Sequence, residues 1–224
     1  MPQTMTGIEH IATLYSAGWF GWAMMLLATC AVLSEVFQPG VISSVTASVF
    51  ALSDRTYKQT PDNFPGQLMA TLFRLGTPAL LLIMAIDDRF DSAGNGLLCY
   101  TIALAMTIGI MMIKMLCNGL IDYTFTLRAF AAGVTTHYAN IATLSALVQF
   151  PMMLILPLFG SLTVNRWAAG ISAALFIGLI TYRLARIYLS GAKAIGYILI
   201  YVLTLEVLPV GALAVGLSQI MKII

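Results

Sequence analysis

The stretch that decides the fold is Tyr182–Pro209, YRLARIYLSGAKAIGYILIYVLTLEVLP. A basic segment is followed by a glycine and then by an apolar run with one acid, Glu206, near its middle. An α-helix needs about 20 predominantly apolar residues to cross the hydrocarbon core of a bilayer. The stretch therefore predicts the end of one membrane span, a short connection and the next span.

The whole chain has the same apolar character. Its 224 residues are 60% hydrophobic and 9% charged, and the mean hydropathy is +0.93. A soluble domain has about 25% charged residues, so this chain has too few charges to cover a surface that faces water. We expect one all-α domain, residues 1–224, embedded in the lipid bilayer. The net charge of +2 is too small to indicate a nucleic-acid partner.

The predicted fold is a polytopic membrane bundle of about six transmembrane helices. The spans cover residues 17–37, 66–86, 97–117, 139–160, 167–185 and 194–221. Two further segments, 41–53 and 118–138, have apolar residues at helical spacing and are predicted to be amphipathic helices at the membrane interface. For 118–138, an extension of the third span beyond the bilayer is the alternative.

The orientation in the membrane follows from lysine and arginine, which are enriched in cytoplasmic loops. Most of the 11 basic residues lie at span ends on one side, which is then the cytoplasmic side. A basic cluster there, Arg183, Arg186 and Lys193, is also suited to anionic lipid headgroups. We therefore predict a multi-pass protein with both termini outside the cytoplasm, which is the periplasm if the cell is Gram-negative.

Charged residues inside the predicted spans are the main candidates for function. A charge at the bilayer centre costs at least about 2.5 kcal/mol on insertion scales, so it needs a partner or water. Glu206 lies about 17–18 Å and Arg74 about 12 Å from the cytoplasmic ends of their spans. We predict that these two are in contact, with Glu35 as the competing partner for Arg74. The alternative is a protonated Glu206 bonded to a carbonyl group or to Tyr201. Lys114 is predicted to reach water at the cytoplasmic edge.

Pro209 follows Glu206 by three positions. Because proline has no N–H group, the backbone hydrogen bond to the Leu205 carbonyl is lost, and a helix kink is predicted. An acid beside a weakened helix is typical of proton-coupled transporters. It is also compatible with an ordinary kinked helix that has one polar anchor.

The C-terminal stretch resembles a known family. The pattern is an arginine-bearing end of the penultimate span, then a last span rich in Tyr and Leu that closes on Leu-Glu-x-Leu-Pro. The residues that form it are Arg183, Arg186, Tyr197, Tyr201, Leu205, Glu206, Leu208 and Pro209. The chain thus resembles the uncharacterised Bacteroidetes membrane family called domain of unknown function 4271. The resemblance implies an inner-membrane protein of this size, without an established activity, substrate or cofactor.

The remaining motifs favour structural roles over functional ones. Asp87–Asp91 matches D-D-x-x-D, which holds magnesium in membrane prenyltransferases, but a second aspartate motif is missing and a solvated loop is favoured. His10 and His137 fall on opposite predicted faces and form no metal-ligand set. Small residues at four-residue steps are interpreted as helix packing within the bundle rather than as a dimer seam. They are Gly170/Ala174/Gly178, Ala105/Gly109, Ala142/Ala146 and Ala212/Gly216.

Three functional hypotheses follow from these features. The leading one is a non-enzymatic subunit or scaffold of a cell-envelope assembly for secretion or insertion, because the apolar faces are large and intramembrane polar groups are few. Its partner would be another membrane protein or a second copy. The first alternative is a small transporter or proton-coupled carrier that uses Glu206 and Arg74. The third hypothesis is a lipid-active enzyme at the aspartate loop. We expect no cofactor and no bound metal.

Overall fold

The structure, a computed structural model, describes residues 18–40, 45, 63–86, 93–125, 128–159, 162–188 and 202–220. The helices are α1 (Trp19–Phe37), α2 (Phe64–Ile86), α3 (Ala93–Phe125), α4 (Arg128–Phe159), α5 (Leu162–Tyr188) and α6 (Leu208–Ile220). A five-residue π-helical turn, Leu203–Val207, leads directly into α6. The described residues contain no strand, which confirms the predicted all-α class.

Five helical stretches are long and apolar enough to cross a membrane. They are Trp19–Phe37, Phe64–Ala85, Gly96–Leu120, Tyr138–Leu156 and Thr163–Tyr182. Each overlaps one of the first five predicted spans, so the chain is a multi-pass membrane protein. The sixth predicted span, 194–221, is described only from residue 202 onward. Its apolar helix Leu208–Gln219 is shorter than the other five, and the total number of spans stays a prediction.

The separate interfacial helix predicted over 118–138 is wrong. Helix α3 continues to Phe125, and α4 already begins at Arg128. The first part of the segment therefore extends the third span, as the alternative had it, and the second part opens α4. Asn118 and Gly119 do not interrupt α3, because one glycine inside a helix costs only about 1 kcal/mol. Of the other predicted interfacial helix, 41–53, only Val45 is described.

Helix α2 lies at the centre of the bundle and contacts α1, α3, α4, α5 and α6. Leu80, Ile83 and Met84 on this helix are fully buried. Lipid tails are as apolar as leucine, so helices in a bilayer associate through close packing and hydrogen bonds rather than through the hydrophobic effect. The contacts of α2 with five other helices therefore hold the described part of the bundle together.

Two glycines permit a close approach of α1, α2 and α3. A Cβ atom added at Gly76 of α2 would lie 2.5 Å from Leu27 Cδ2 and 2.9 Å from Tyr100 Oη. At Gly96 of α3, an added Cβ would overlap the indole ring of Trp19. The three helices therefore meet at a distance that no larger residue allows, as is usual for helix contacts in membranes.

The stripes of small residues differ in burial. Ala142 and Ala146 are buried, as packing within the bundle requires. In contrast, Gly170, Ala174 and Gly178 on α5 are exposed, and an added Cβ at either glycine would meet nothing within 4 Å. For this stripe, the predicted packing inside the bundle is wrong, because four-residue spacing does not indicate which face of a helix points inward.

The beginning of α5 is bonded to the end of α2. The side-chain nitrogens Asn165 Nδ2 and Arg166 Nε donate to the carbonyl oxygens of Met84 at 3.2 Å and of Ala85 at 3.1 Å. The last carbonyl groups of a helix have no N–H donor within the helix, so they need such donors from outside. These two bonds fix the position of α5 next to α2, and both helices line the cavity described below.

Candidate functional site

Glu206 and Lys114 form a buried ion pair between the π-helical turn and α3. The Glu206 Oε1 atom accepts a hydrogen bond from Lys114 Nζ. Only 3% of the Glu206 side chain and 6% of the Lys114 side chain are exposed. Each charge thus has its counter-charge where water is excluded, which is the usual arrangement for ionisable groups inside a membrane. The pair joins two parts of the chain that are 92 residues apart.

The predicted partner of Glu206 was therefore wrong. Arg74 donates from Nε to the Ala70 carbonyl oxygen at 3.1 Å and from Nη2 to Thr71 Oγ1 at 3.2 Å. Both acceptors belong to its own helix. Within the described residues, no carboxylate lies at ion-pair distance from Arg74. A depth estimate compares only the rise along each helix, and it does not say in which direction the side chain points.

The prediction that Lys114 reaches water was also wrong. It assumed that the third span ends near residue 117, whereas α3 continues to Phe125. Eleven further residues correspond to about 16 Å of helix, at 1.5 Å per residue. This places Lys114 well inside the helix instead of at its edge, and the ammonium group is buried against Glu206.

Tyr138 of α4 forms the other side of the ammonium site. Lys114 Nζ lies 3.7 Å from the centre of the Tyr138 ring. This is within the range of a cation–π contact, which is stronger when the cation is desolvated. The Tyr138 ring in turn packs edge-on against Phe176 of α5, with 5.6 Å between the ring centres. The ion pair is thus held by side chains from three helices as well as from the π-helical turn.

Glu206 lies in an unusual piece of backbone. In the π-helical turn, the N–H group of Leu208 bonds to the carbonyl oxygen of Leu203, five residues earlier. Such turns are rare and occur frequently at functional sites. Pro209 follows immediately and cannot donate the α-helical bond to Leu205. Where the sequence predicted a kink, the chain forms this wider turn.

A cavity of about 190 Å³ lies between α2, α3, α4, α5 and α6. A single water needs about 10–15 Å³ of such space, so the cavity has room for a small organic molecule. Pro209 and Val210, which follow Glu206 by one helical turn, form part of the wall. Most of the wall is apolar. The polar lining residues are Arg74, Thr107, Tyr138, Ser145, Gln149 and Ser172.

Gln149 has an unsatisfied atom in this wall. Its Nε2 group donates to Ser145 Oγ at 2.9 Å and to Ser172 Oγ at 2.5 Å. The Oε1 atom has no hydrogen-bond partner among the described residues, and only 6% of the residue is exposed. A buried acceptor without a donor costs about 1–3 kcal/mol. Gln149 is thus a polar residue whose hydrogen-bonding capacity the protein does not fully use.

Glu35, the proposed competitor for Arg74, has a contact of a different kind. Its Oε1 atom accepts a hydrogen bond from the backbone N–H of Gly40 at 2.8 Å. Gly40 has φ = 94°, a left-handed conformation that glycine adopts without strain. This contact holds the chain where it leaves α1.

Several predicted candidates lie outside the described side chains. These are Asp87–Asp91, His10, His137, Arg183, Arg186 and Lys193. Among the side chains that are described, no group of three or more His, Cys, Asp or Glu could hold a metal ion. Two of the three cysteines, Cys30 and Cys99, are buried in the main apolar core.

The fold and the site together define a class: a multi-pass α-helical membrane protein with a buried ion pair next to a partly polar cavity. Within that class, the chain belongs to the family described as domain of unknown function (DUF4271), whose family model matches residues 20–217. The match includes Arg74, Lys114, Gln149 and Glu206. No curated protein and no solved structure matches the chain.

Proposed function

We propose that this chain is a small membrane carrier whose cavity takes a solute and whose Lys114–Glu206 pair couples the last helix to the bundle. The main observation behind the proposal is the cavity itself. Side chains from four helices place polar groups around a space between apolar membrane helices. Polar and ionisable residues inside a membrane typically mark the route of a substrate or an ion.

The last helix has the features of a movable element. Glu206 lies in a π-helical turn, and Pro209 removes a backbone hydrogen bond directly after it. Carriers often place interrupted helices at their binding sites, where the irregular backbone lines a cavity. The ion pair joins this weak point to α3. Breaking and remaking the pair would let α6 move relative to the cavity that it lines.

Accessibility of the cavity to water tests the proposal without knowledge of the solute. In a variant that lacks Cys30, Cys99 and Cys117, Ser145→Cys and Ala173→Cys each place a thiol in the cavity wall. We expect a membrane-impermeant thiol reagent to label both variants from either side of the membrane, because a carrier opens alternately to the two sides. The matched control is Ala174→Cys, next to Ala173 but on the exposed face. It should remain unlabelled if that face contacts lipid. Cavity thiols that are labelled from one side only, or from neither, would exclude a carrier.

A subunit or scaffold in a cell-envelope assembly for secretion or insertion is the second candidate. The observation that favours it is the exposed stripe of Gly170, Ala174 and Gly178 on α5, because small residues allow another helix to approach closely. A pull-down in mild detergent compares wild type with Gly178→Leu. A stoichiometric membrane-protein partner, or a dimer, that is lost in the variant would support this role. A solitary chain in both samples would count against it.

For the cellular setting, we propose the inner membrane of a Bacteroidetes bacterium, with both termini in the periplasm. The distribution of lysine and arginine supports this orientation. Alkaline phosphatase fused to either terminus is then active, whereas a cytoplasmic fluorescent reporter at the same place is dark. The lipid-active enzyme depended on Asp87–Asp91, which lies outside the described residues, and no observation favours it.

A further inference from the structure

Arg74 has a positive charge that no described carboxylate balances. A guanidinium group stays protonated in proteins and has five N–H donors. Two of its nitrogens donate, and both acceptors, the Ala70 carbonyl and the Thr71 hydroxyl, are neutral. Glu206, the predicted counter-charge, is engaged by Lys114 instead. Arg74 lines the cavity, so an anion in the cavity would have donors available to it.

Gln149 is a second polar residue in the same wall. Helices α2 and α4 pack through Phe73 and Phe150, whose ring centres are 5.9 Å apart. Arg74 and Gln149 are the chain neighbours of these two rings, and both line the cavity. Among the described residues, no group donates to Gln149 Oε1, but that atom is fully buried and a ligand in the cavity does not reach it. The cavity thus presents a cation without a described counter-ion, beside an amide that already bonds to two serines.

The remaining wall is apolar, and residues of α2, α3, α5 and α6 contribute to it. They include Leu82, Ile110, Phe176 and Leu213. A small inorganic anion would leave this surface unused, and a purely apolar molecule would leave the positive charge of Arg74 unbalanced. The wall therefore fits a molecule that has both a charged end and an apolar body, as is usual for ligand pockets with few polar groups.

We propose that the cavity binds an amphiphilic acid, a molecule that joins one carboxylate or phosphate group to a short apolar body. The acidic group accepts hydrogen bonds from Arg74, a geometry for which guanidinium is well suited. This assignment names the substrate class of the proposed carrier and rests on that function for its transport role. The binding site itself does not depend on transport.

Calorimetric titration of the full chain in nanodiscs of neutral phosphatidylcholine tests the assignment. The probes are hexanoate and hexyl phosphate, with hexanol as the matched neutral molecule. We expect one site per chain that binds both acids at least about tenfold more tightly than hexanol, since charge-assisted hydrogen bonds are roughly twice as strong as neutral ones. Arg74→Gln should abolish this preference, and Arg74→Lys should retain part of it.

Arg166→Gln is the control for a lost basic residue, because Arg166 bonds to α2 outside the cavity lining. This variant should keep the preference for acids. Acids that bind no more tightly than hexanol would overturn the assignment. A preference that survives in Arg74→Gln would overturn it as well. If Arg74→Gln does not fold, Arg74→Lys provides the test. Lysine cannot form the two parallel hydrogen bonds of a guanidinium group. Affinities for hexanoate and hexyl phosphate that both equal those of wild type would therefore contradict such a contact with Arg74.

Native mass spectrometry of the chain extracted from its own membrane identifies the source of the acid. One anionic lipid per chain that hexanoate displaces would indicate a lipid headgroup. Hexanoate binding without such a lipid would indicate a water-soluble acid. Both results support the proposed chemistry. If no acid binds but the cavity thiols are labelled from both sides, the ligand class is wrong and the carrier stands. If acids bind but labelling occurs from one side, the carrier is wrong and the binding site stands.

Discussion

The two halves of the bundle are built on opposite principles. Where α1, α2 and α3 meet, Gly76 and Gly96 let neighbouring side chains touch the backbone, and there is no space for one added carbon atom. Where α2, α3, α4, α5 and α6 meet, a cavity remains, and its surroundings contain a buried ion pair and an unsatisfied amide. The first region is tightly packed and supports the fold. The second keeps polar groups and empty space that packing alone would remove, which is typical of a functional site.

The largest expected effect is in the polar region. Lys114→Met leaves Glu206 buried without a counter-charge, and loss of one partner of a buried pair costs about 3–5 kcal/mol. The double variant Lys114→Met/Glu206→Gln removes both charges and should recover most of that loss. Thermal unfolding in detergent measures all three chains. A double variant as unstable as the single one would mean that the two residues do not form a stabilising pair.

The Lys114–Glu206 pair also shows which parts of the structure could be predicted from the sequence and which could not. The helices were predictable because lipid requires about 20 apolar residues per span and because prolines and glycines lie between the runs. The pairing of Glu206 was not, because position along a helix is one coordinate and the direction of a side chain depends on packing. Lys114 gave a usable signal, since it is a lysine within a long apolar run. The incorrect end of the third span concealed it.

The close contacts where α1, α2 and α3 meet predict the next effect. Gly76→Ala places a methyl group against Leu27 and Tyr100, and overpacking of this kind typically costs about 1–3 kcal/mol. Gly178→Ala is the matched control, because nothing lies within 4 Å of an added Cβ there. The midpoint of thermal unfolding should fall clearly for Gly76→Ala and hardly change for Gly178→Ala. Equal changes would refute the difference between the packed and the open faces.

A smaller effect is expected where the two regions are joined. Arg166→Gln removes the hydrogen bond from Nε to the Ala85 carbonyl oxygen at the end of α2. The expected loss is about 1 kcal/mol, the usual net value of one hydrogen bond. Hydrogen exchange at the last turn of α2 should increase, while exchange around Gly76 stays the same. Uniform acceleration throughout α2 would indicate that this bond has a global role.

The smallest effect on stability is predicted inside the cavity. Gln149→Met removes the bonds to Ser145 and Ser172, but it also removes the unsatisfied Oε1 atom. These contributions oppose each other, so the change in unfolding free energy should stay within about 1 kcal/mol. A loss of several kcal/mol would show that the two serine bonds stabilise the fold by much more than the unsatisfied oxygen destabilises it. Gln149 was not among the candidates identified from the sequence, although Ser145 and Gln149 are one helical turn apart on a single face.

Thiol labelling of Ser145→Cys shows whether the ion pair and the cavity are coupled. The experiment compares the chain that has the ion pair with the chain that carries Lys114→Met/Glu206→Gln, and the reagent is added to each side of the membrane in turn. When the pair is intact, we expect labelling from both sides. Without the pair, the ratio between the two sides should change, because α6 is no longer held to α3. An identical ratio in both chains, or labelling from one side only, would contradict the proposed coupling.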